Sequence, residues 1–263
     1  MPTYVHDGLT LWYAEAGSGP PVIFVAGVMS DHTTWDFIVP RLQGLRAITP
    51  DNRDIGNSSI ARRDYSVRDM AGDVLALMGH LGLERASIVG HSLGGKIAQE
   101  LALLAPSRVD KLVLVCSSAQ HDLQSRSLTE LWISLREEVA DDLVFAQTIC
   151  LCAMGPSTLA KVPLRDAAEL WMARAPLQRG SAFIRSVEAS LANDTLARLG
   201  DIQVPTLVVY ADCDRIFPRE HGEQLVAGIP SAQGVLMENC GHAPMSERPA
   251  DFARNLQQFL HPL

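Results

Sequence analysis

The sequence predicts an α/β fold with a mostly parallel central sheet, helices on both faces of that sheet and an inserted helical segment. Short apolar runs alternate with longer helical patterns in the first half of the chain. A long segment without a convincing strand pattern follows, and strand and helix patterns then return. Alternation of this kind is typical of a parallel sheet covered by helices.

Seven strands are predicted, and their boundaries coincide with turn signals. The first, Leu9–Glu15, ends at a Gly-Ser-Gly-Pro-Pro turn, and the third ends at Pro50. The second, Val22–Val25, is apolar throughout, which suits a central strand buried on both faces. The full set of predicted strands is 9–15, 22–25, 47–49, 87–89, 112–115, 204–210 and 235–237.

Helical periodicity fills the stretches between these strands. Ser66 is predicted as the N-cap of a helix whose apolar residues keep one face on the sheet. Those residues are Val67, Met70, Val74, Leu77 and Leu81. Further helices are predicted at 93–104, 220–227 and 250–260. Because residues 121–199 look helical throughout, we expect a core domain of residues 1–120 and 200–263 with a helical insert at 121–199.

The composition is that of an ordinary globular protein. Hydrophobic residues make up 47% of the 263 residues and charged residues 20%, and 22 Lys and Arg against 30 Asp and Glu give a net charge of −8. These values exclude disordered and collagen-like chains, and an acidic balance without a basic patch argues against nucleic-acid binding. The N-terminus lacks a signal-peptide pattern and no long apolar window occurs, so we expect a cytoplasmic protein that does not enter membranes.

Neither the cysteines nor the histidines suggest a metal or cofactor site. The five cysteines are odd in number and lack Cys-x-x-Cys spacing, which argues against a disulfide framework and a zinc site. The histidines also lack ligand spacing, and no dinucleotide-binding fingerprint is present. We therefore expect no metal and no organic cofactor.

The most informative motif is Gly90-His91-Ser92-Leu93-Gly94, which lies between a predicted strand and a predicted helix. The pattern G-x-S-x-G alone is weak evidence, but its position strengthens it. A strand that turns directly into a helix strains the residue between them, and glycines on either side let the backbones approach. The hydroxyl of Ser92 is then exposed at the positive end of the helix, as a nucleophile requires.

A serine nucleophile needs a base, and the base needs a carboxylate that fixes its tautomer. His242 lies in a predicted loop after the last strand, where it can reach the carboxyl edge of the sheet. Asp212 and Asp214 both follow the strand at 204–210. Either carboxylate could orient His242, and the chain order serine, aspartate, histidine is the order expected for a triad in this architecture.

With these motifs, the chain resembles the α/β-hydrolase family over nearly its whole length, and its layout is similar to small serine esterases and 3-oxoadipate enol-lactonase-like hydrolases. The matching blocks are Gly90 to Gly95, Asp51 to Ser58, Asp214 to Pro218 and Gly241 to Pro249. The family's D-x-x-x-P spacing implies that Asp214, rather than Asp212, is the triad acid beside Ser92 and His242. The resemblance also implies that the insert is a lid and that Arg53 belongs to a structural turn.

Acyl transfer places negative charge on the former carbonyl oxygen, so two N–H donors must point at it. The first predicted donor is the backbone of Leu93. The family supplies the second from the loop after an early strand, commonly with His-Gly before the donor. This chain has Ala26-Gly27 there, so the resemblance assigns the donor to Val28, or to Met29 if the loop is shifted by one residue. Trp35 is expected to pack in the core.

We therefore predict a serine hydrolase that cleaves a small-molecule carboxylic ester or lactone through an acyl-enzyme. Hydrolysis of a C–C bond in ring-fission diketones and a cofactor-free lyase reaction use the same triad and stay open. A non-catalytic small-molecule binding protein is a third possibility, although an intact triad argues against it. The sequence leaves the oligomeric state open.

Substrate contacts are expected from Met29, Trp132 and Ile216, and His32 and His121 are the other histidines to test near a pocket. A carboxylate-bearing lactone needs an inward-facing arginine, whereas a plain acyl ester prefers an apolar pocket. The arginines that the insert offers are Arg126, Arg136, Arg165, Arg174, Arg179 and Arg185.

Overall fold

The central sheet runs through the middle of the protein and has the strand order β1-β2-β4-β3-β5-β6-β7-β8. The computed structural model describes residues 2–174, 177, 178 and 180–260. Pairing is antiparallel between β1 and β2 and between β2 and β4, and it is parallel in the rest of the sheet. The strands are β1 Thr3–His6, β2 Leu9–Gly17, β3 Pro21–Val25, β4 Arg46–Pro50, β5 Ala86–His91, β6 Val109–Val115, β7 Thr206–Ala211 and β8 Ala232–Met237.

All seven predicted strands are present, and the predicted α/β class is confirmed. Strand β1 was not predicted, because it has four residues and alternates without a long apolar run. A signal for it does exist in the sequence. Asp7 and Gly8 form the two-residue connection to β2 with φ of 50° and 74°, and Asp-Gly is typical of such hairpins.

Helices occupy both faces of the sheet and the segment between β6 and β7. Ser66 is the N-cap of helix α1, as predicted. Its hydroxyl accepts a hydrogen bond from the Asp69 amide, and the Asp69 carboxylate accepts one from the Ser66 amide. The helices are α1 Val67–His80, α2 Leu93–Leu104, α3 Leu123–Glu138, α4 Asp142–Ala153, α5 Pro156–Leu159, α6 Leu164–Arg174, α7 Gly180–Ala192, α8 Arg219–Gly228, α9 Pro244–Glu247 and α10 Pro249–Leu260.

Strand β3 shows how the sheet divides the core into two layers. Its side chains alternate between the faces, so Ile23 packs in the layer with α1 and α2 while Phe24 packs in the layer with α10. Both side chains are fully buried, as the apolar run predicted. Trp35 packs against Phe24 with ring centroids 5.3 Å apart, which confirms its expected place in the core.

The helical insert consists of helices α3 to α7, and it is joined to the core by a partly buried ion pair. Arg185 of α7 donates to both carboxylate oxygens of Asp54, at 2.9 and 3.0 Å. Asp54 follows β4, and its carboxylate is fully buried. The Gln178 side chain also donates to the Asp54 carbonyl at 3.2 Å. These contacts hold the insert against the carboxyl edge of the sheet.

Arg53 lies in the same turn and is structural. Its guanidinium donates to both oxygens of the Asp73 carboxylate in α1, and both side chains are buried. None of the helices among the described residues has both the length and the apolar character that crossing a bilayer requires.

Candidate active site

Ser92 occupies a strained turn between β5 and α2, with φ of 55° and ψ of −117°. Side chains rarely adopt a positive φ, so the surrounding backbone must hold this residue in place. The two flanking glycines allow that packing. A Cβ on Gly90 would lie 2.2 Å from the Gly94 carbonyl oxygen, and one on Gly94 would lie 2.1 Å from the Val25 carbonyl oxygen. The glycines of the motif are therefore required by close backbone contact.

Two hydrogen bonds, one to the last residue of β6 and one from the segment just after it, fix the Ser92 backbone. Its amide donates to the Val115 carbonyl at 2.9 Å, and the Ser117 hydroxyl donates to its carbonyl at 2.8 Å. The residue is the N-cap of α2 and no side-chain capping bond is formed there. The hydroxyl therefore lies beside the positive end of the α2 dipole, where negative charge is stabilised.

His242 and Asp214 form a buried pair, with 2.7 Å between the imidazole Nδ1 and the Asp214 Oδ2. The second oxygen, Oδ1, accepts hydrogen bonds from the amides of Ile216 at 2.8 Å and Phe217 at 3.0 Å. With Nδ1–H donating to the carboxylate, the other ring nitrogen is left as the basic one. Asp212 is exposed, and its carboxylate accepts instead from the Cys240 amide at 3.2 Å. The structure thus selects Asp214 as the partner of His242.

Ser92 and His242 line the same cavity. Among the hydrogen bonds between described residues, none joins the Ser92 hydroxyl to the His242 ring. His91 supports the histidine from the other side. Its Nε2 contacts the His242 carbonyl at 2.8 Å, and burial lowers the pKa of His91 to about 3, so this ring stays neutral near pH 7. The sequence pattern alone does not reveal this contact, because the two residues are 151 positions apart.

The loop after β3 lies directly on the serine turn. A Cβ on Gly27 would come within 3.0 Å of the Ser92 Cβ, so Gly27 allows a contact that a larger residue would block. The next two residues, Val28 and Met29, both line the cavity. Neither their amides nor the Leu93 amide donates a hydrogen bond to another described residue. The three amides predicted as oxyanion donors are thus not used by other described groups.

The cavity has a volume of about 350 Å³ and lies between the insert and the core. All three predicted substrate contacts, Met29, Trp132 and Ile216, line it. Its walls are mainly apolar, as is typical of small-molecule sites. Phe37 and Leu170 line it as well and are 38% and 61% exposed, which identifies them as part of the mouth.

Few of the insert arginines reach this cavity. Of those that the structure describes, only Arg174 lines it, and its guanidinium binds Asp36 at 2.7 Å and lies over the Phe37 ring. Arg179 lies outside the described residues. The other insert arginines contact groups away from the cavity: Arg126 the Leu191 carbonyl, Arg136 Asp142, Arg165 Glu169 and Arg185 Asp54.

The two histidines singled out from the sequence have different positions. His121 lines the cavity, and its Nε2 lies 3.1 Å from the Ser190 hydroxyl. Burial lowers the pKa of His121 to about 3. His32 does not line this cavity, because its Nδ1 is held 2.7 Å from the Asp51 carboxylate beneath the loop after β3. Of the two histidines to test near a pocket, His121 therefore lines this cavity and His32 does not.

Two groups of described residues have ligand atoms close enough to share a metal ion, within 4.8 Å of one another. In the first, Cys116, Asp214 and His242, the carboxylate already accepts hydrogen bonds from the histidine and from two amides. The second group is Asp31, His32 and Asp51. The Asp51 carboxylate accepts from His32 and from the Asn57 amide. Protein donors thus already use the carboxylates of both groups.

Lys96, one turn after Ser92 in α2, is fully buried, which sequence reasoning missed. Its ammonium donates to the Ser190 carbonyl at 3.3 Å and lies over the Phe217 ring. No carboxylate of the described residues forms an ion pair with it. Burial lowers its pKa to about 7. The sequence feature that could have indicated this burial is that Lys96 is the one charged residue in the first two turns of α2.

We expect Lys96→Met to stabilise the protein. A buried lysine whose folded pKa lies below its unfolded value costs stability in full below pH 7, and this cost disappears as pH rises towards 10.5. The gain should be on the order of 5 kcal/mol at pH 6 and below about 1 kcal/mol near pH 10.5. Urea unfolding at the two pH values checks this, with exposed Lys161→Met as the control. An equal gain at both pH values would contradict it.

Comparisons with known proteins agree with the fold described above. A putative carbamate hydrolase, RutD, of Agrobacterium fabrum is 30% identical over 250 residues, covering 92% of this chain and 94% of that protein. A thermophilic esterase from Thermogutta terrifontis is 27% identical with a TM-score of 0.84, covering 98% of this chain and 96% of the other. Est816, described as an N-acyl homoserine lactone degrading enzyme, is 25% identical with a TM-score of 0.84, and the match covers 98% of this chain and 100% of the other.

A family model described as the alpha/beta hydrolase fold matches residues 20–249. This range includes the serine turn, the insert and the histidine loop, and it is most of the chain. The protein therefore belongs to the α/β-hydrolase family.

Proposed function

We propose that the protein is a serine hydrolase that cleaves carboxylic esters of small molecules through an acyl-enzyme. The observation that carries this proposal is a single cavity lined both by Ser92, on its strained turn, and by His242, whose ring is fixed by Asp214. Backbone strain costs stability and is concentrated at functional sites. A protein that only binds a small molecule has no need of a strained serine in the same cavity as an oriented histidine.

In the proposed reaction, Ser92 attacks the ester carbonyl while His242 removes its proton. Asp214 keeps the imidazole in the required tautomer and stabilises its positive charge. The amides of Leu93 and of Val28 or Met29 bind the oxyanion. His242 then donates the proton to the leaving alcohol. In the second half of the reaction His242 removes a proton from water, which attacks the acyl-enzyme, and Ser92 leaves with that proton as the acid is released. The neighbouring neutral His91 adds no charge next to the catalytic imidazole.

The cavity favours a neutral acyl group of moderate size. Its walls are mainly apolar, and the one described insert arginine that lines it, Arg174, is already paired with Asp36. A substrate carboxylate would lose its hydration on entering this cavity and would find few groups there to replace it. That desolvation costs free energy. A neutral lactone fits the same site, and the likeness to Est816 makes lactones the first substrates to test after esters. We also propose a cytosolic location, where the five free cysteines stay reduced.

The decisive test is a substrate screen with purified protein. We expect turnover of p-nitrophenyl acetate and butyrate, slower turnover of anionic esters, and one covalent adduct of a fluorophosphonate at Ser92, located by peptide mass spectrometry. Neutral lactones and ring-fission diketones are screened in parallel. Turnover of diketones without turnover of any ester would replace the proposal with C–C bond hydrolysis. No turnover and no adduct would support a binding protein instead.

A further inference from the structure

Glu247, at the end of α9, accepts hydrogen bonds from both sides of the boundary between the insert and the histidine loop. Its Oε2 accepts from the Gly155 amide at 2.8 Å and from the Thr158 hydroxyl at 2.6 Å, both in the insert. Its Oε1 accepts from the amide of Gly241, the residue before His242, at 2.8 Å. The Cys240 thiol lies 3.9 Å from the same oxygen. One carboxylate therefore joins two segments that are distant in sequence.

Further bonds connect the same two segments directly. The His242 amide donates to the Ala153 carbonyl at 2.7 Å, and the Ser157 hydroxyl donates to the Asn239 carbonyl at 2.8 Å. We call this set, residues 153–158 with residues 239–242 and Glu247, the insert–loop contact. The end of α4 and the start of α5 are thus bound to the backbone of the catalytic histidine.

Close backbone packing makes this contact rigid. A Cβ on Gly241 would lie 2.3 Å from the Ala153 carbonyl oxygen and 2.5 Å from the Gly155 nitrogen. A Cβ on Gly155 would lie 2.9 Å from the Gly241 nitrogen. The two glycines thus bring the main chains into direct contact. The His242 backbone cannot shift without moving the insert, and the insert cannot shift here without moving His242.

We propose that Glu247 is a positioning residue that holds His242 in its catalytic place by joining the histidine loop to the insert. This rests on the proposed function, because it takes His242 as the base. A carboxylate suits the position since its oxygens only accept, and every group that faces it donates. Glutamine has the same shape but would turn an amide N–H₂ towards one pair of those donors. Catalytic groups tolerate only small displacements, and an error of 1 Å costs about 100-fold in rate.

The test is Glu247→Gln, compared with Glu238→Gln. Glu238 precedes the same loop and its side chain is exposed, so its substitution makes the same change in charge without touching the contact. We expect kcat per folded enzyme for p-nitrophenyl butyrate to fall at least tenfold in Glu247→Gln, to about 1% of wild type at the lowest, and to stay within twofold in Glu238→Gln. The rate of fluorophosphonate labelling at Ser92 should fall in parallel.

Proton NMR supplies a readout that does not need turnover. The proton between His242 Nδ1 and Asp214 should give a downfield resonance, which we expect to move or broaden in Glu247→Gln and to stay unchanged in Glu238→Gln. A variant that loses thermal stability but keeps kcat and this resonance would overturn the proposal, because Glu247 would then only support the fold.

Thr158→Val removes one bond to Glu247 from the insert side and keeps the shape of the side chain. We expect a smaller loss of kcat, and a double variant with Glu247→Gln no worse than Glu247→Gln alone, since both changes break one unit. Should Glu247→Gln fail to fold, Thr158→Val decides: an unchanged rate and resonance overturn the proposal. Should wild type neither turn over esters nor be labelled, the proposed function fails, and the resonance alone then tests the positioning role.

Discussion

Ser92→Ala should abolish ester turnover while the protein stays folded. Removing the nucleophile of a triad lowers kcat by about 10⁴-fold to 10⁶-fold, because the remaining groups cannot form the acyl-enzyme. Alanine keeps the Cβ, so it meets the same backbone constraint at a φ of 55° and leaves the packing against Gly27 unchanged. The measurements are kcat with p-nitrophenyl butyrate, labelling by a fluorophosphonate and thermal unfolding.

The matched control is Ser127→Ala, on the exposed side of α3, which should behave as wild type. Retention of more than a few per cent of the activity by Ser92→Ala would exclude Ser92 as nucleophile. Unfolding of the variant would instead show that the hydroxyl supports the turn, and the fluorophosphonate adduct on wild type would then carry the assignment.

Asp214→Asn should lower kcat by about 10⁴-fold, the loss typical of a triad whose histidine takes the wrong tautomer. The amide oxygen of asparagine can still accept from Ile216 and Phe217, so its N–H₂ group would face His242 Nδ1. That nitrogen would have to become the acceptor, and the other ring nitrogen would carry the proton. The base would then be blocked towards Ser92. Steady-state kinetics at pH 7 to 9 measures the loss.

Asp212→Asn is the control, since the exposed Asp212 carboxylate binds the Cys240 amide rather than the histidine. We expect it to change kcat by less than about threefold. Comparable losses in the two variants would mean that Asp214 does not act through His242 alone, and a larger loss in Asp212→Asn would contradict the assignment.

Most of the fold could be predicted because most strands of this sheet are short apolar runs that can be recognised without knowledge of the rest of the chain. Val22–Val25 is apolar on both faces, and its strand lies at the centre of the sheet as that pattern requires. Strand β1 gave no comparable signal, since it lies at the sheet edge and only Tyr4 within it is buried. Its one marker, the Asp7-Gly8 hairpin, depends on backbone angles rather than on hydrophobic periodicity.

The site was predictable to the extent that its chemistry lies in short motifs. The serine turn is a local pattern, and Asp214 could be separated from Asp212 only by the family's spacing until the contact with His242 was known. Glu247 and Lys96 could not be identified in this way. Glu247 acts through partners about 90 residues earlier in the chain, and the burial of Lys96 depends on α7 and on the loop of Phe217. Such roles arise from tertiary contacts, which periodicity does not encode.

We expect the ion pair between Asp54 and Arg185 to restrict movement of the insert away from the core. Lifting the whole insert would break both charge-assisted hydrogen bonds that Arg185 donates to the Asp54 carboxylate, and such bonds are stronger than those between neutral groups. Substrates and products should instead pass through the mouth of the cavity beside Phe37 and Leu170. We expect bulky esters, however reactive, to be turned over poorly, because they must first pass this mouth to reach Ser92.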